Sequence, residues 1–448
     1  VDRLRRRRAL APAQLIVLSF AAAIVAGTIL LRLPLAHATR GRIGWLEALF
    51  TATSAVCVTG LGVVDTGRDF SPVGQAIVLL LIQLGGLGIL TAGTLLAFMT
   101  GRRLGFRERL NLQAQLGALH VGGIVRLVRD ILLVVVAVEL AGALLLYVRM
   151  GAVDGWGHGA WQALFHSISA FNNAGFSLHA DNLVRYVGDP LVNVVIMALI
   201  VIGGLGFVVI ANLIGRYRHT ERTPLGLHTK IALTATVSLI LAATALLLVL
   251  EWTNPRTLGP LTWPGKILAA LFQAVTPRTA GFNTIDYAAM REAGLMLTML
   301  LMFIGGNPGS TAGGIKTVTF VVLVGTAWSL SRGRGELRLF DRRLAVDTAV
   351  RAGVIALISL MLVFGVLTVL AVTDARLGMF RLAFETFSAF GTVGLSTGIT
   401  PDLSVPGKLV IVALMFAGRL GPLTLALALV ERPPDKRIEY PAEDVVVG

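Results

Sequence analysis

The chain has 448 residues, 55% of them hydrophobic and 14% charged, with a mean hydropathy of +0.79, and this excludes a soluble core as the destination of its apolar segments. Its net charge of +14 comes from arginines clustered between apolar spans, a positive-inside pattern that argues against a nucleic-acid partner. The single cysteine, Cys57, excludes an intramolecular disulfide and a cysteine-based metal cluster, and 50 glycines suit membrane helices that pack through small residues.

In chain order, Arg3, Arg5, Arg6, Arg7 and Arg8 precede a first span at 13–33 that lacks a small-residue cleavage pattern, which predicts a retained helix with a cytoplasmic N-terminus. Further spans fall at 72–99, 126–148, 189–215, 228–251, 291–327, 347–372 and 405–430. Eight spans return the C-terminus to the side where the chain began. Between the members of each pair lies a piece of about twelve residues, at 45–56, 159–171, 264–275 and 378–390. Such a piece is too short to cross a bilayer as a helix, so each is predicted to be a re-entrant pore helix. The loops between units carry arginines such as Arg102, Arg103, Arg216, Arg218, Arg338 and Arg342, on the same side as the basic N-terminus.

The pieces repeat. Ala48-Leu49-Phe50, Ala163-Leu164-Phe165, Ala270-Leu271-Phe272 and Leu382-Ala383-Phe384 open them, and a glycine follows each phenylalanine after 10, 10, 9 and 10 residues: Gly60, Gly175, Gly281 and Gly394. The shorter third interval places a missing residue near Pro277. A second landmark follows about 25 residues later: Gly85-Gly86-Leu87-Gly88, Gly203-Gly204-Leu205-Gly206, Gly305-Gly306-Asn307-Pro308-Gly309 and Gly418-Arg419-Leu420-Gly421. The expected fold is an all-α polytopic membrane protein of four tandem units, each a helix, pore helix, filter and helix, around a pseudo-fourfold pore of potassium-channel plan. The expected divisions are a basic N-terminus at 1–12, unit 1 at 13–100, a linker at 101–125, unit 2 at 126–216 and a linker at 217–227. Unit 3 follows at 228–330, a linker at 331–346, unit 4 at 347–430 and a tail at 431–448.

Aligned on their glycines, the candidate filters read Val58-Thr59-Gly60, Asn173-Ala174-Gly175, Thr279-Ala280-Gly281 and Thr392-Val393-Gly394. In the fourth, Gly391-Thr392-Val393-Gly394-Leu395-Ser396 is the best match to a carbonyl-lined ion filter. Glycine permits the backbone geometry that aims successive carbonyls at one axis, so the backbone of these twelve residues is expected to replace the water shell of a monovalent cation. Acids follow at Asp65, Asp181, Asp286 and Asp402, as collectors of cations at the outer mouth or as loop caps.

Below the filters, 303–319 is too rich in glycine, with Pro308, to form a continuous helix, so a loop at 305–314 is predicted inside the membrane cavity as a gate. Its candidate gating residues are Gly305, Gly306, Gly309, Ser310, Thr311, Gly313, Gly314 and Lys316. The run resembles a phosphate-binding P-loop, but Ile315 separates Gly314 from Lys316 and no strand precedes it. Arg419 is the one charged residue among the glycine landmarks, either a cation barrier facing the pore or a partner of helix-end carbonyls or of a carboxylate. His158, His166 and His179 lack metal-ligand spacing, no transition-metal site is expected, and nothing suggests a catalytic set.

These residues resemble the Trk/Ktr/HKT superfamily of potassium transporters over nearly the whole chain. The most specific pieces are Ala55-Val56-Cys57-Val58-Thr59-Gly60-Leu61, Phe171-Asn172-Asn173-Ala174-Gly175-Phe176-Ser177, Pro277-Arg278-Thr279-Ala280-Gly281-Phe282-Asn283, the run at 309–317 and Gly418-Arg419-Leu420-Gly421-Pro422. Because the chain opens directly on the first unit, it looks most like the membrane B subunit of a Ktr-type system. The resemblance implies potassium uptake across the cytoplasmic (inner) membrane through the filter, with both termini cytoplasmic. It also implies a homodimer in membrane lipid and a cytosolic RCK-type ring that moves the cavity loop; the nucleotide, ATP/ADP or NAD(H), belongs to that ring, and this chain holds no organic cofactor. Glycine at all four filter positions resembles the potassium-selective members, whereas serine at the first marks sodium-permeable plant relatives. A less selective or sodium-coupled cation transporter is the alternative.

Overall fold

A computed structural model describes residues 12–38, 43–88, 124–218, 225–333, 336–421 and 424. Most of the basic N-terminus, most of the 101–125 linker, the far ends of the spans predicted at 72–99 and 405–430, and the 431–448 tail lie outside them.

The first unit contains α1 (Pro12–Arg32), α2 (Trp45–Val56) and α3 (Pro72–Leu87). The second contains α4 (Ile124–Asp154), α5 (Trp156–Phe171), α6 (Pro190–Gly204) and α7 (Phe207–Arg218). The third contains α8 (Leu227–Glu251), α9 (Trp263–Val275), α10 (Glu292–Phe303) and α11 (Thr317–Ser331). The fourth contains α12 (Val346–Thr373), α13 (Met379–Gly391) and α14 (Val405–Leu420). Between units 3 and 4, β1 (Arg338–Leu339) and β2 (Arg342–Arg343) form a two-stranded hairpin, with Glu336 pairing to Arg343 at 3.0 Å.

Among the described residues, α1, α4, α8 and α12 are long and apolar enough to cross a membrane, and they turn apolar side chains such as Val25, Leu144, Val249 and Phe364 outward. That is what a lipid solvent requires, since burial there means contact with lipid rather than with protein. The expectation of continuous second helices in units 1, 2 and 4 is corrected. α3 stops at Gly88 (φ +83), α14 stops at Gly421 (φ +82), and α6 and α7 meet at 98° across Leu205 and Gly206 (φ +93). The left-handed backbone that glycine allows ends the helical ladder, and the landmark read as a mid-helix feature is a break in every unit. In unit 3 the break is the predicted loop, with α10 ending at Phe303 and α11 beginning at Thr317.

The second helices of units 1, 2 and 4 also start alike. Ser71, Asp189 and Ser404 cap α3, α6 and α14 by accepting from Gly74 N, Val192 N and Gly407 N at 3.1–3.2 Å, and proline stands in each first turn. The repeated phenylalanines, Phe50, Phe165, Phe272 and Phe384, are fully buried and seat the four short helices in the core. Packing is cyclic: α3 lies on α5, α6 on α9, α10 on α13, and α14 returns to α2.

Candidate functional site

The predicted filter segments emerge from the C-terminal ends of α2, α5, α9 and α13 and meet in one ring. At the first residue of each, Val58, Asn173, Thr279 and Thr392, φ is +57°, +58°, +75° and +49°; at the glycines it is +89°, +70°, +77° and +91°. Thr59, Ala174, Ala280 and Val393, between them, keep negative φ. This alternation of sign turns successive carbonyls toward one side of the chain.

Ring closure follows from how closely the glycines approach. A Cβ built on Gly60 would lie 2.5 Å from Ala174 O and 3.0 Å from Gly175 Cα, and one on Gly175 would lie 2.9 Å from both Ala280 O and Gly281 Cα. One on Gly281 would press on Val393 O and lie 3.2 Å from Gly394 Cα, and one on Gly394 would press on Thr59 O and lie 2.9 Å from Gly60 Cα. Each middle carbonyl oxygen therefore abuts the glycine of a neighbouring segment. The partial negative charge at four converging helix C-termini favours a cation there. The buried hydroxyls of Thr59, Thr279 and Thr392 have no protein partner.

A hydroxyl on or just after each short helix braces its segment. Ser54 Oγ accepts from Gly60 N at 3.0 Å and Ser388 Oγ from Gly394 N at 3.1 Å, while Ser169 Oγ donates to Phe176 O at 2.8 Å and Thr276 Oγ1 to Phe282 O at 2.5 Å. Sequence reading missed these four. Their signal was a Ser or Thr six residues before the glycine, five in the shortened third unit. Ser388→Ala, which leaves Gly394 N–H without its acceptor, is expected to destabilise the protein by about 1 kcal/mol. Thermal unfolding in detergent checks this, and an unchanged midpoint removes the brace.

The helix breaks sit directly against the short helices. A Cβ on Gly85, Gly203 or Gly418 would collide with Val56 O, Phe171 O or Phe390 O, so glycine at these landmarks serves close approach to the ends of α2, α5 and α13. In unit 3, Gly305 faces Gly313 O instead, because the 304–316 loop fills the space. The loop is tied down throughout. Gly305 N donates to Ile315 O (2.8 Å), Thr317 N to Gly306 O (2.9 Å) and Asn307 N to Gly204 O (3.1 Å), and Gly309 O accepts from Phe207 N (2.8 Å). Ser310 Oγ donates to Asn307 O at 2.6 Å, and Lys316 Nζ to Ala312 O at 2.6 Å. Gly313 lies against Thr392 and Gly391, and Gly314 holds φ +63. The structure thus brings the loop against the start of the fourth segment.

Arg419 joins that loop to unit 1, donating to Thr311 O and Gly85 O, with Gly86 O at 3.4 Å. It is a partner of carbonyls at the end of α3 and in the loop, and so a tie between them. With Lys316, Ser310 and Gly309 it lines a cavity of about 180 Å³. A second missed group is Glu139 on α4, buried between units 1 and 2, where it accepts from Asn172 Nδ2 (3.0 Å) and Gln83 Nε2 (3.3 Å).

Beyond the ring, Asp65 accepts from Gly67 N and Arg68 N, and Asp286 from Ala288 N, so both act as caps. Burial raises the pKa of Asp181, but hydrogen bonds from Arg185, at 2.7 Å, bring it below the usual carboxylate range. His179 is pushed down to about 4 by burial and by the Arg185 cation, so it is neutral around pH 7. Asp65, Asp69, Asn182 and His179 line a pocket of about 380 Å³ beside Gly60 and Gly175.

Comparison with known proteins gives the family and the fold. The family model described as TrkH, cation transport protein, matches residues 3–440. The chain is 43% identical over 437 residues to the Ktr system potassium uptake protein B of Bacillus subtilis, covering 98% of this chain and 97% of that one. It is 38% identical over 449 residues to the potassium/sodium uptake protein NtpJ of Enterococcus hirae, covering 99% of each. The crystal structure of the potassium transporter TrkH from Vibrio parahaemolyticus superposes with a TM-score of 0.75 at 20% identity, over 96% of this chain and 86% of that one.

Proposed function

We propose, from the premise that this chain belongs to the TrkH family of cation transport proteins, that it is the membrane subunit of a potassium uptake system. It is an integral membrane protein of a transport family. The observation that carries the reading is the closed ring of Gly60, Gly175, Gly281 and Gly394, with a backbone carbonyl of each neighbour against them. Such a ring replaces the water shell of a dehydrated monovalent cation at little cost in reorganisation.

In this reading the cation leaves the ring toward the 305–314 loop, and the loop with Arg419 opens or closes the way into the cell. The positive-inside arginines support cytoplasmic termini, in the cytoplasmic membrane. The B subunit named among the relatives supports a partner component. We assign that role to a cytosolic nucleotide-binding ring acting on a homodimer of this chain, with ATP/ADP or NAD(H) on the ring. The potassium/sodium name of the enterococcal relative supports a second reading, a less selective or sodium-coupled carrier.

Electrogenic flux in proteoliposomes with potassium against sodium separates the two. Potassium uptake is expected to exceed sodium uptake by about tenfold or more, a difference of about 1.4 kcal/mol between the two barriers. Equal fluxes, or potassium flux that requires sodium, select the second reading.

A further inference from the structure

One buried carboxyl has no place in this scheme. Glu385 sits on α13 with its side chain fully buried, nine residues before Gly394. It accepts hydrogen bonds from Ser396 Oγ and from Thr400 Oγ1 at 3.2 Å, with the Thr397 amide alongside. Ser396 Oγ also takes the Gly398 N–H at 2.8 Å. The carboxyl therefore organises the whole strand by which the chain leaves the fourth segment.

The same register on the other short helices holds Thr51, His166 and, in the shortened unit, Gln273, all buried. His166 Nε2 is 2.9 Å from Ser177 Oγ, and Ser177 stands where Ser396 stands. Gln273 Nε2 donates to Thr284 Oγ1 at 2.9 Å and its oxygen accepts from Tyr287 at 2.7 Å. Thr51 Oγ1 has no partner, and Gly62 occupies the position of Ser396 in that unit. Three segments are thus braced on their outward side by side chains of different chemistry, and the first is not. This layer is separate from the serine and threonine braces nearer the helix ends.

We propose that Glu385 is a positioning residue for ion selectivity, fixing the Gly394 backbone through Ser396 and Thr400 so that the carbonyl ring cannot contract around a smaller cation. The proposal rests on the reading of the four segments as the filter. Selectivity of a carbonyl ring depends on its size and on how stiffly its dipoles are held. Removing the carboxyl strands two hydroxyls beside an empty volume.

The test compares Glu385→Ala, Glu385→Gln, Ser396→Ala and, as the filter control, Gly394→Ser in the full-length protein in liposomes. The readouts are the ratio of potassium to sodium uptake and the melting temperature in potassium against sodium. Glu385→Ala is expected to lower the ratio about tenfold and to abolish the extra stabilisation by potassium. Glu385→Gln keeps an acceptor and adds a donor at the same place, and holds the ratio within about threefold of the parent. Ser396→Ala shifts the ratio in the same direction as Glu385→Ala. A merely structural role lowers the melting temperature equally in both ions and leaves the ratio intact, which overturns the proposal. If Glu385→Ala does not fold, Ser396→Ala decides by the same readouts. Loss of selectivity in Gly394→Ser alone rejects the role of Glu385 and spares the filter; parental selectivity in Gly394→Ser rejects both.

Discussion

Gly394→Ser is expected to lower the ratio of potassium to sodium uptake by about 10- to 100-fold, equivalent to about 1.4 to 2.7 kcal/mol of discrimination. Two independent costs meet at this position. Its φ of +91 is unfavourable for any residue with a Cβ, at about 1 to 3 kcal/mol. The added carbon would also press on Thr59 O and lie 2.9 Å from Gly60 Cα, and both are backbone atoms that no rotamer change can move aside. The ring must widen or twist to take the side chain, and a widened ring loses the fit that separates a larger cation from a smaller one. Gly60→Ser, against Ala174 O and Gly175 Cα, is expected to act in the same direction. Competitive flux of the two ions measures the effect, and a variant with undiminished preference rules out this register of the filter.

The second large effect is expected inward of the ring. Arg419→Ala should raise flux about 10- to 100-fold. A guanidinium about 5 Å from a passing monovalent cation, at an effective dielectric near 20, repels it by about 3 kcal/mol. The same change cuts the bonds to Thr311 O and Gly85 O, and so releases the loop from the end of α3. Arg419→Lys separates these contributions. Lysine keeps the charge, but its compact ammonium cannot reproduce the planar fork that serves two carbonyls on different units. An intermediate rise therefore assigns the remainder to the lost tie. Deleting residues 305–314 should free flux from control by any cytosolic partner. Flux in Arg419→Ala equal to that of the parent removes the barrier, and a deletion variant still under control removes the gate.

Much of this architecture was legible because it repeats. Phe50, Phe165, Phe272 and Phe384, with a glycine nine or ten residues after each, carried the units, the short helices and the ring in one pattern. The broken second helices were legible only in unit 3, where Pro308 and dense glycine forbid a helix. In the other units a Gly-Gly-Leu-Gly or Gly-Arg-Leu-Gly run inside an apolar stretch is compatible with a continuous membrane helix. At Gly206 the break meets Pro308 O of the unit 3 loop, a contact that local sequence does not contain, and at Gly88 and Gly421 it is marked only by the positive φ of the glycine. The braces escaped for a related reason. A serine within an apolar helix commonly satisfies itself on its own backbone, and only the fold shows that Ser54 and Ser388 turn to the next segment instead. Glu385, His166, Gln273 and Thr51 share a register but no chemistry, so nothing in composition joined them.

The contacts of Gly394 with Thr59 and Gly60, and of Arg419 with Gly85, join residues more than 300 positions apart. They are the last that a chain emerging from the ribosome can make, since the first unit must wait in the bilayer until the fourth has been synthesised. Such long-range closure is slow compared with the local pairing within each unit. It also has a protective side in the proposed function: a nascent or truncated chain holds three quarters of a ring and no tie from Arg419, so the closed ring forms only once the fourth unit has been made.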